Sequence, residues 1–134
     1  MTAYIDSSAL LKCYIDEHDS AVAEQLVDSD PARVTSWVTY TEVRRNLARH
    51  LDGAERRDAY RQFETDFDQL AAVITDESIC RAAATIGETL GVRSLDAIHL
   101  ASAQRLLISG LTFVTFDLRQ AQAARSLGFH VLGA

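Results

Sequence analysis

Lysine is almost missing from this chain: Lys12 is the only one among 13 basic residues, and the rest are arginine. Proline occurs once, at Pro31, and cysteine twice, at Cys13 and Cys80. Each scarcity excludes something. Two distant cysteines without closely spaced Cys/His pairs exclude a zinc site. Both are expected as reduced, buried thiols in helical stretches. No apolar run approaches the roughly 18 residues needed to cross a bilayer. No basic segment followed by an apolar stretch opens the sequence, so a secretory signal is not expected and a cytoplasmic location is. There is no linker, repeat or low-complexity tract, so residues 1–134 are expected as one domain. At 48% hydrophobic content it can build a core without disulfides or a structural metal. The net charge of −6 argues against a nucleic-acid binder, since phosphate contacts need Lys and Arg. An acidic site that holds cations would also contribute negative charge, so position has to decide.

What is present is an alternation of β-prone and helical segments. Strands are expected over Thr2–Ile5, Arg33–Trp37, Ala71–Thr75, Leu111–Thr115 and Phe129–Leu132. Helices are expected from Ser7-Ser8 through Lys12, over Asp19–Val27, Thr39–Leu51, Ala54–Leu70 and Glu77–Leu90, and over Ser94–Ile108 and Leu118–Leu127. Gly91, Gly110 and Gly128 are the stop signals of three of them. Alternation of this kind implies one α/β domain with a mainly parallel sheet covered on both faces.

The acids fall at matching places in that pattern. Asp6 follows the first strand and Asp117 the fourth. Glu42 and Asp96 are read in the first turns of helices. In an open parallel sheet, strand C-termini and helix N-termini share one edge, where ligands bind. Each acid alone is explained by capping or by the helix dipole, and Thr39-x-x-Glu42 reads as a capping box. Together they repel: at ~5 Å and an effective dielectric of about 20, each pair costs on the order of 3 kcal/mol. With no lysine nearby, such a cluster calls for a divalent cation, and oxygen ligands suit Mg²⁺ or Mn²⁺. Composition and spacing support a metal–carboxylate site and leave the substrate open.

Four segments carry a family likeness. Tyr4-Ile5-Asp6-Ser7-Ser8-Ala9-Leu10 resembles the opening motif of PIN-domain nucleases, and Thr41-Glu42-Val43 resembles the second. Ser94-Leu95-Asp96-Ala97-Ile98-His99-Leu100-Ala101-Ser102-Ala103 is very similar to the third motif of VapC-type toxins, and Val114-Thr115-Phe116-Asp117 resembles the fourth. The resemblance implies a three-layer α/β/α sandwich with strand order 3-2-1-4-5. It implies a metal-dependent endoribonuclease, with Asp6, Glu42, Asp96 and Asp117 as catalytic and metal-binding residues and Mg²⁺ or Mn²⁺ as cofactor. It also implies an RNA substrate, a VapB-like antitoxin that fills the acidic groove, often with an arginine, and a homodimer.

Around these acids, Ser7, Ser8 and Thr115 could orient carboxylates or metal-bound water. His99 is read first as a packed, hydrogen-bonded helix residue. Arg44, Arg45 and Arg93 are candidate RNA-phosphate contacts, with a solvated helix face as the plainer reading. Val43, Leu47, Leu51, Tyr60, Phe63 and Phe67 are read as core. A phosphotransfer domain with an aspartyl nucleophile is disfavoured because position 8 is Ser and no lysine is placed to clamp a phosphate. A non-catalytic module that holds a basic peptide in the acidic groove is the standing alternative. DNA as substrate is not excluded by the residues.

Overall fold

The computed structural model describes residues 1–134. Its elements, in chain order, are β1 (Thr2–Ile5), α1 (Ser7–Leu11), α2 (Ser20–Asp28), β2 (Ala32–Ser36), α3 (Trp37–His50), α4 (Gly53–Phe67), β3 (Ala71–Val73), α5 (Glu77–Leu90), α6 (Ser94–Arg105), β4 (Thr112–Thr115), α7 (Leu118–Ser126) and β5 (His130–Gly133). The five strands form one wholly parallel sheet in the order β3-β2-β1-β4-β5. This is the architecture that the family likeness implied.

Strand periodicity of two splits the core into two layers. From β1, Ala3 and Ile5 enter one cluster with Leu10, Val43, Leu47, Phe63 and Phe67 of α1, α3 and α4. Tyr4 enters the other, with Ile79, Ala83, Ala97, Leu100 and Ala124 of α5, α6 and α7. Strand β4 does the same: Val114 faces the first cluster and Phe113 the second. Tyr4 and Phe113 stack at 5.2 Å between ring centres, so the two central strands are locked through their aromatic residues. Helices thus cover both faces of the sheet.

Several local expectations are corrected. Helix α3 starts at Trp37, capped by the Ser36 hydroxyl, which accepts from the Val38 N–H. Thr39-x-x-Glu42 is therefore not a capping box, and Glu42 lies beyond the first turn. Thr39 is instead fully buried, with its hydroxyl 2.7 Å from that of Thr35. Thr35 in turn donates to the Ile5 carbonyl at 2.6 Å. This chain of contacts seats the start of α3 against the end of β1. Helix α6 stops at Arg105 rather than Ile108, because Leu107 takes a left-handed conformation (φ 51°) and turns the chain toward β4. Val22 faces solvent, and α2 packs through Ala23 and Val27. Cys13 lies in the turn after α1 and is half-buried, while Cys80 is exposed on α5. Burial pushes the Cys13 thiol up to about 12, so it stays protonated near neutral pH.

Two glycines make opposite demands. Gly133, on β5 with φ 109°, would place a Cβ 2.2 Å from the Thr115 carbonyl oxygen. That oxygen already accepts from the Ala134 N–H at 2.9 Å. In helix α5, a Cβ on Gly87 would meet only ordinary contacts, 3.6 Å from the Val92 carbonyl and 3.8 Å from Ala97 Cβ. Gly133→Ala is expected to destabilise the fold by about 1–3 kcal/mol. Gly87→Ala is expected to stabilise it by about 0.5–1 kcal/mol. Urea midpoints with an unchanged slope would read both; a destabilised Gly87→Ala or a neutral Gly133→Ala would contradict this packing.

Candidate active site

Asp6 ends β1 and begins α1. Its backbone N–H donates to the Val114 carbonyl at 3.1 Å, which extends the β1–β4 pairing to this residue. Its carboxylate is the N-cap of α1: Oδ1 accepts from the Ala9 N–H at 3.2 Å and from the Ser8 hydroxyl at 2.7 Å. The Ser8 oxygen also accepts from the Phe116 N–H at 2.9 Å and lies 3.2 Å from Thr115 Oγ1. Ser8 therefore joins the loops after β1 and β4. Asp6 is only 3% exposed, and burial raises its carboxyl above the usual range. The neighbouring His99, the Thr115 and Ser8 hydroxyls and the Ala9 amide pull it the other way.

Asp117 ends the β4 loop and caps α7. Its Oδ1 accepts from the Gln120 N–H at 2.9 Å, and its own N–H donates to Thr115 Oγ1 at 3.1 Å. Asp96 lies in the first turn of α6, as expected. Gln120 ties the two acids together: it is fully buried and donates its side-chain amide to the Asp96 carbonyl at 2.9 Å. The Arg93 guanidinium spans both carboxylates, with Nε 3.2 Å from Asp96 Oδ2 and Nη2 3.6 Å from Asp117 Oδ2. Burial raises the Asp96 carboxyl, Arg93 opposes the rise, and the charge of Asp117 adds to it.

Glu42 reaches the same place from the middle of α3. Its Oε1 lies 2.7 Å from His99 Nε2, and His99 Nδ1 lies 2.8 Å from the Tyr4 hydroxyl. Burial holds the Tyr4 phenol protonated, far above its ordinary range. Tyr4, His99 and Glu42 form one chain of hydrogen bonds that orients the Glu42 carboxylate. His99 is thus the packed, hydrogen-bonded helix residue expected, and its partner is one of the four acids.

Asp6, Glu42, Asp96 and Asp117 all line one cavity of about 190 Å³ at the C-terminal edge of the sheet, with Ser7, Ser8, Asn46 and Arg93 among its other walls. Two of the acids are helix caps as well as cavity walls, so the plain and the functional readings of Asp6 and Asp117 hold together. No three His, Cys, Asp or Glu side chains are grouped closely enough to hold a metal ion as they stand. Part of the repulsion is met from within the chain: Arg93 lies between Asp96 and Asp117, and His99 hydrogen-bonds Glu42. In kind, four carboxylates on one cavity remain the donors a hard cation takes.

Other expected residues divide. Thr115 and Ser8 make the hydrogen bonds that hold the acids, whereas Ser7 lines the cavity and bonds to none of them. Arg44 is not at the cavity. It pairs with Glu64 of α4 at 2.5 Å and lies 4.0 Å over the Tyr60 ring, fastening α3 to α4. Arg45 is exposed and outside the cavity wall. Gln120 was missed, although Asp117-x-x-Gln120 has capping-box spacing; its side chain crosses to α6 instead of returning to Asp117.

The PIN domain family matches residues 3–126. Ribonuclease VapC46 of Mycobacterium tuberculosis is 35% identical over 130 residues, covering 96% of this chain and 95% of that protein. Ribonuclease VapC45 of the same species is 31% identical, covering 98% and 94%. Among solved structures, FitAcB from Neisseria gonorrhoeae superposes with a TM-score of 0.75 at 21% identity, covering 96% of this chain and 95% of that one. M. tuberculosis VapC20, described as a sarcin–ricin loop cleaving toxin, superposes with a TM-score of 0.70 at 15% identity, covering 95% of each. A profile match over nearly the whole chain, a shared strand order and four acids on one cavity agree: the chain belongs to the PIN-domain family.

Proposed function

We propose that this chain is a metal-dependent endoribonuclease, the toxin of a VapBC-type toxin–antitoxin pair, with Asp6, Glu42, Asp96 and Asp117 as its catalytic acids. The observation that carries this reading is the meeting of four acids, from four separate elements, on one cavity. Supporting it are relatives named as VapC ribonucleases, matched over almost their full length. The four acids would hold Mg²⁺ or Mn²⁺, which when bound activates water and neutralises charge on the phosphoryl group. The rest is work for the chain's own residues. Ser8 and the Ala9 amide hold Asp6 in one orientation, and His99 does the same for Glu42. Arg93, at the cavity wall, would meet an RNA phosphate. Cleavage leaving 5′-phosphate and 3′-hydroxyl ends is the expected outcome.

A VapB-like antitoxin is the proposed partner and a homodimer the proposed assembly. Structures similar in fold include a toxin–antitoxin complex from Klebsiella pneumoniae and DNA-bound VapBC from Salmonella typhimurium. Arg93 between Asp96 and Asp117 illustrates how a guanidinium from an inhibitor would be received. No helix is long and apolar enough to cross a membrane.

The direct test is cleavage of total RNA with added Mn²⁺, with and without EDTA, mapping the new 5′ ends. Cleavage that EDTA abolishes and Asp96→Asn loses is expected; cleavage that persists in EDTA would contradict the metal-dependent mechanism.

Asp6→Asn separates catalysis from folding. It keeps the cap on Ala9 but removes a buried charge, so activity should fall on the order of 10²-fold or more. The melting temperature should match or exceed that of the metal-free wild type. Because the folded-state carboxyl is raised, ionised Asp6 costs stability at neutral pH. That cost is relieved as pH falls through the raised value toward the ordinary carboxylate range near 4. The stability difference between variant and wild type should therefore shrink on acidification, and a widening gap would contradict the assignment.

Tyr4→Phe removes the group that orients His99. It should destabilise by about 1–3 kcal/mol, since it leaves a buried ring nitrogen unpaired. Cleavage should fall about 10–100-fold, as when an outer-shell partner is lost. Wild-type cleavage by a folded Tyr4→Phe protein would show that Glu42 does not depend on this chain of contacts.

A further inference from the structure

The acidic cavity has a second one beside it. This neighbour, about 360 Å³, lies between the α5–α6 turn, from Leu90 to Arg93, and the face of α7 that carries Arg119, Gln122 and Ser126. The two cavities share Arg93 and Asp96, so they lie side by side over the edge of the sheet. The sign of the charge changes along it. Four carboxylates and one arginine line the first cavity. Two arginines and one carboxylate line the second, and that carboxylate, Asp96, is already paired with Arg93. Arg119, like Arg45, Arg49, Arg56, Arg57 and Arg125, has no acidic partner, and of these six it alone lines this cavity.

Polyanion chemistry fits this arrangement. A strand with its scissile phosphate at the carboxylates carries a negative charge on the next phosphate too, and that charge cannot rest among acids. The neighbouring cavity offers two guanidinium groups, each able to meet a phosphate through paired N–H donors. Its volume lies at the lower end of the range of small-ligand pockets, roughly 300–1,000 Å³, which suits a single nucleotide. Leu90, Val92 and Ala123 give it an apolar floor against which a base or ribose can lie. The Arg93 side chain is 73% exposed and stands at the boundary of both cavities. One residue can thus hold Asp96 and Asp117 on one side and a phosphate on the other.

We propose that the Arg93–Arg119 cavity seats the RNA nucleotide adjoining the scissile phosphate, and that Arg119 grips its phosphate. This rests on the ribonuclease reading above. The test uses the full chain and a fluorescent single-stranded RNA oligonucleotide spanning a cleavage site mapped in total RNA. Arg119→Glu should raise KM about tenfold or more and Arg119→Ala by a smaller factor, each with kcat near wild type. Arg119→Lys should recover most of the loss. The slope of log(kcat/KM) against log[salt] should flatten by about 0.7 for the lost phosphate contact. Ser126→Asp, which adds negative charge at the same cavity, should shift KM in the same direction as Arg119→Glu. Unchanged melting temperatures would show that these exposed substitutions leave the fold alone.

A wild-type KM and salt slope in Arg119→Glu, with the nuclease active, would overturn the proposal and leave the ribonuclease reading intact. Weakened antitoxin binding with unchanged RNA kinetics would overturn it in favour of a protein contact. If the wild-type chain cleaves no RNA with Mn²⁺, both readings fall.

Discussion

The structure turns on a carboxylate withheld from water. Asp6 is nearly inaccessible, it is the last residue to pair with β4, and it is the first to order α1. Placing a charge there is costly unless hydrogen bonds and neighbouring charges hold it. Ser8, Ala9, Thr115 and His99 all act on it, and two of them also support another acid. Thr115 holds the backbone of Asp117, His99 holds Glu42, and Gln120 ties Asp117 to Asp96. The four acids are therefore not separate decorations on a sheet edge. They share supports, so a change at one alters the setting of the others.

This sharing explains how an acidic protein with a single lysine can keep so much negative charge together. Arg93 neutralises part of it from within the chain, lying between two carboxylates. The same arginine stands where the acidic cavity gives way to a basic one. Clusters of negative and positive charge thereby lie side by side at one edge of the sheet, despite a net charge of −6.

Much of this was legible in the sequence. Alternating β-prone and amphipathic segments identified all twelve elements to within a few residues, because a parallel sheet covered on both faces requires that alternation. Asp6 and Asp117 could be located because a cap must directly follow its strand. Glu42 was legible as a residue but not in its place. Ser36 initiates α3 earlier than Thr39, since a hydroxyl at the end of β2 reaches the first free N–H groups before any later residue can. Ser8 was legible as a residue that orients carboxylates and His99 as a packed, hydrogen-bonded one, but not their partners, and Gln120 was not legible at all. Each depends on a partner 57, 107 or 24 residues away, and only the closed sheet brings those partners together. The arginines behaved likewise: Arg44 resembles an RNA contact in sequence, yet Glu64 and Tyr60 hold it on the opposite side of α3.

The central claim is that four distant acids act as one cation site. Titrating Mn²⁺ into the metal-free protein, followed by calorimetry or by electron paramagnetic resonance, tests it without any RNA substrate. Saturable uptake by the wild-type chain is expected, weakening sharply in Asp6→Asn, Asp96→Asn, Glu42→Gln and Asp117→Asn alike. No uptake by the wild type, or uptake that all four substitutions leave unchanged, would contradict it.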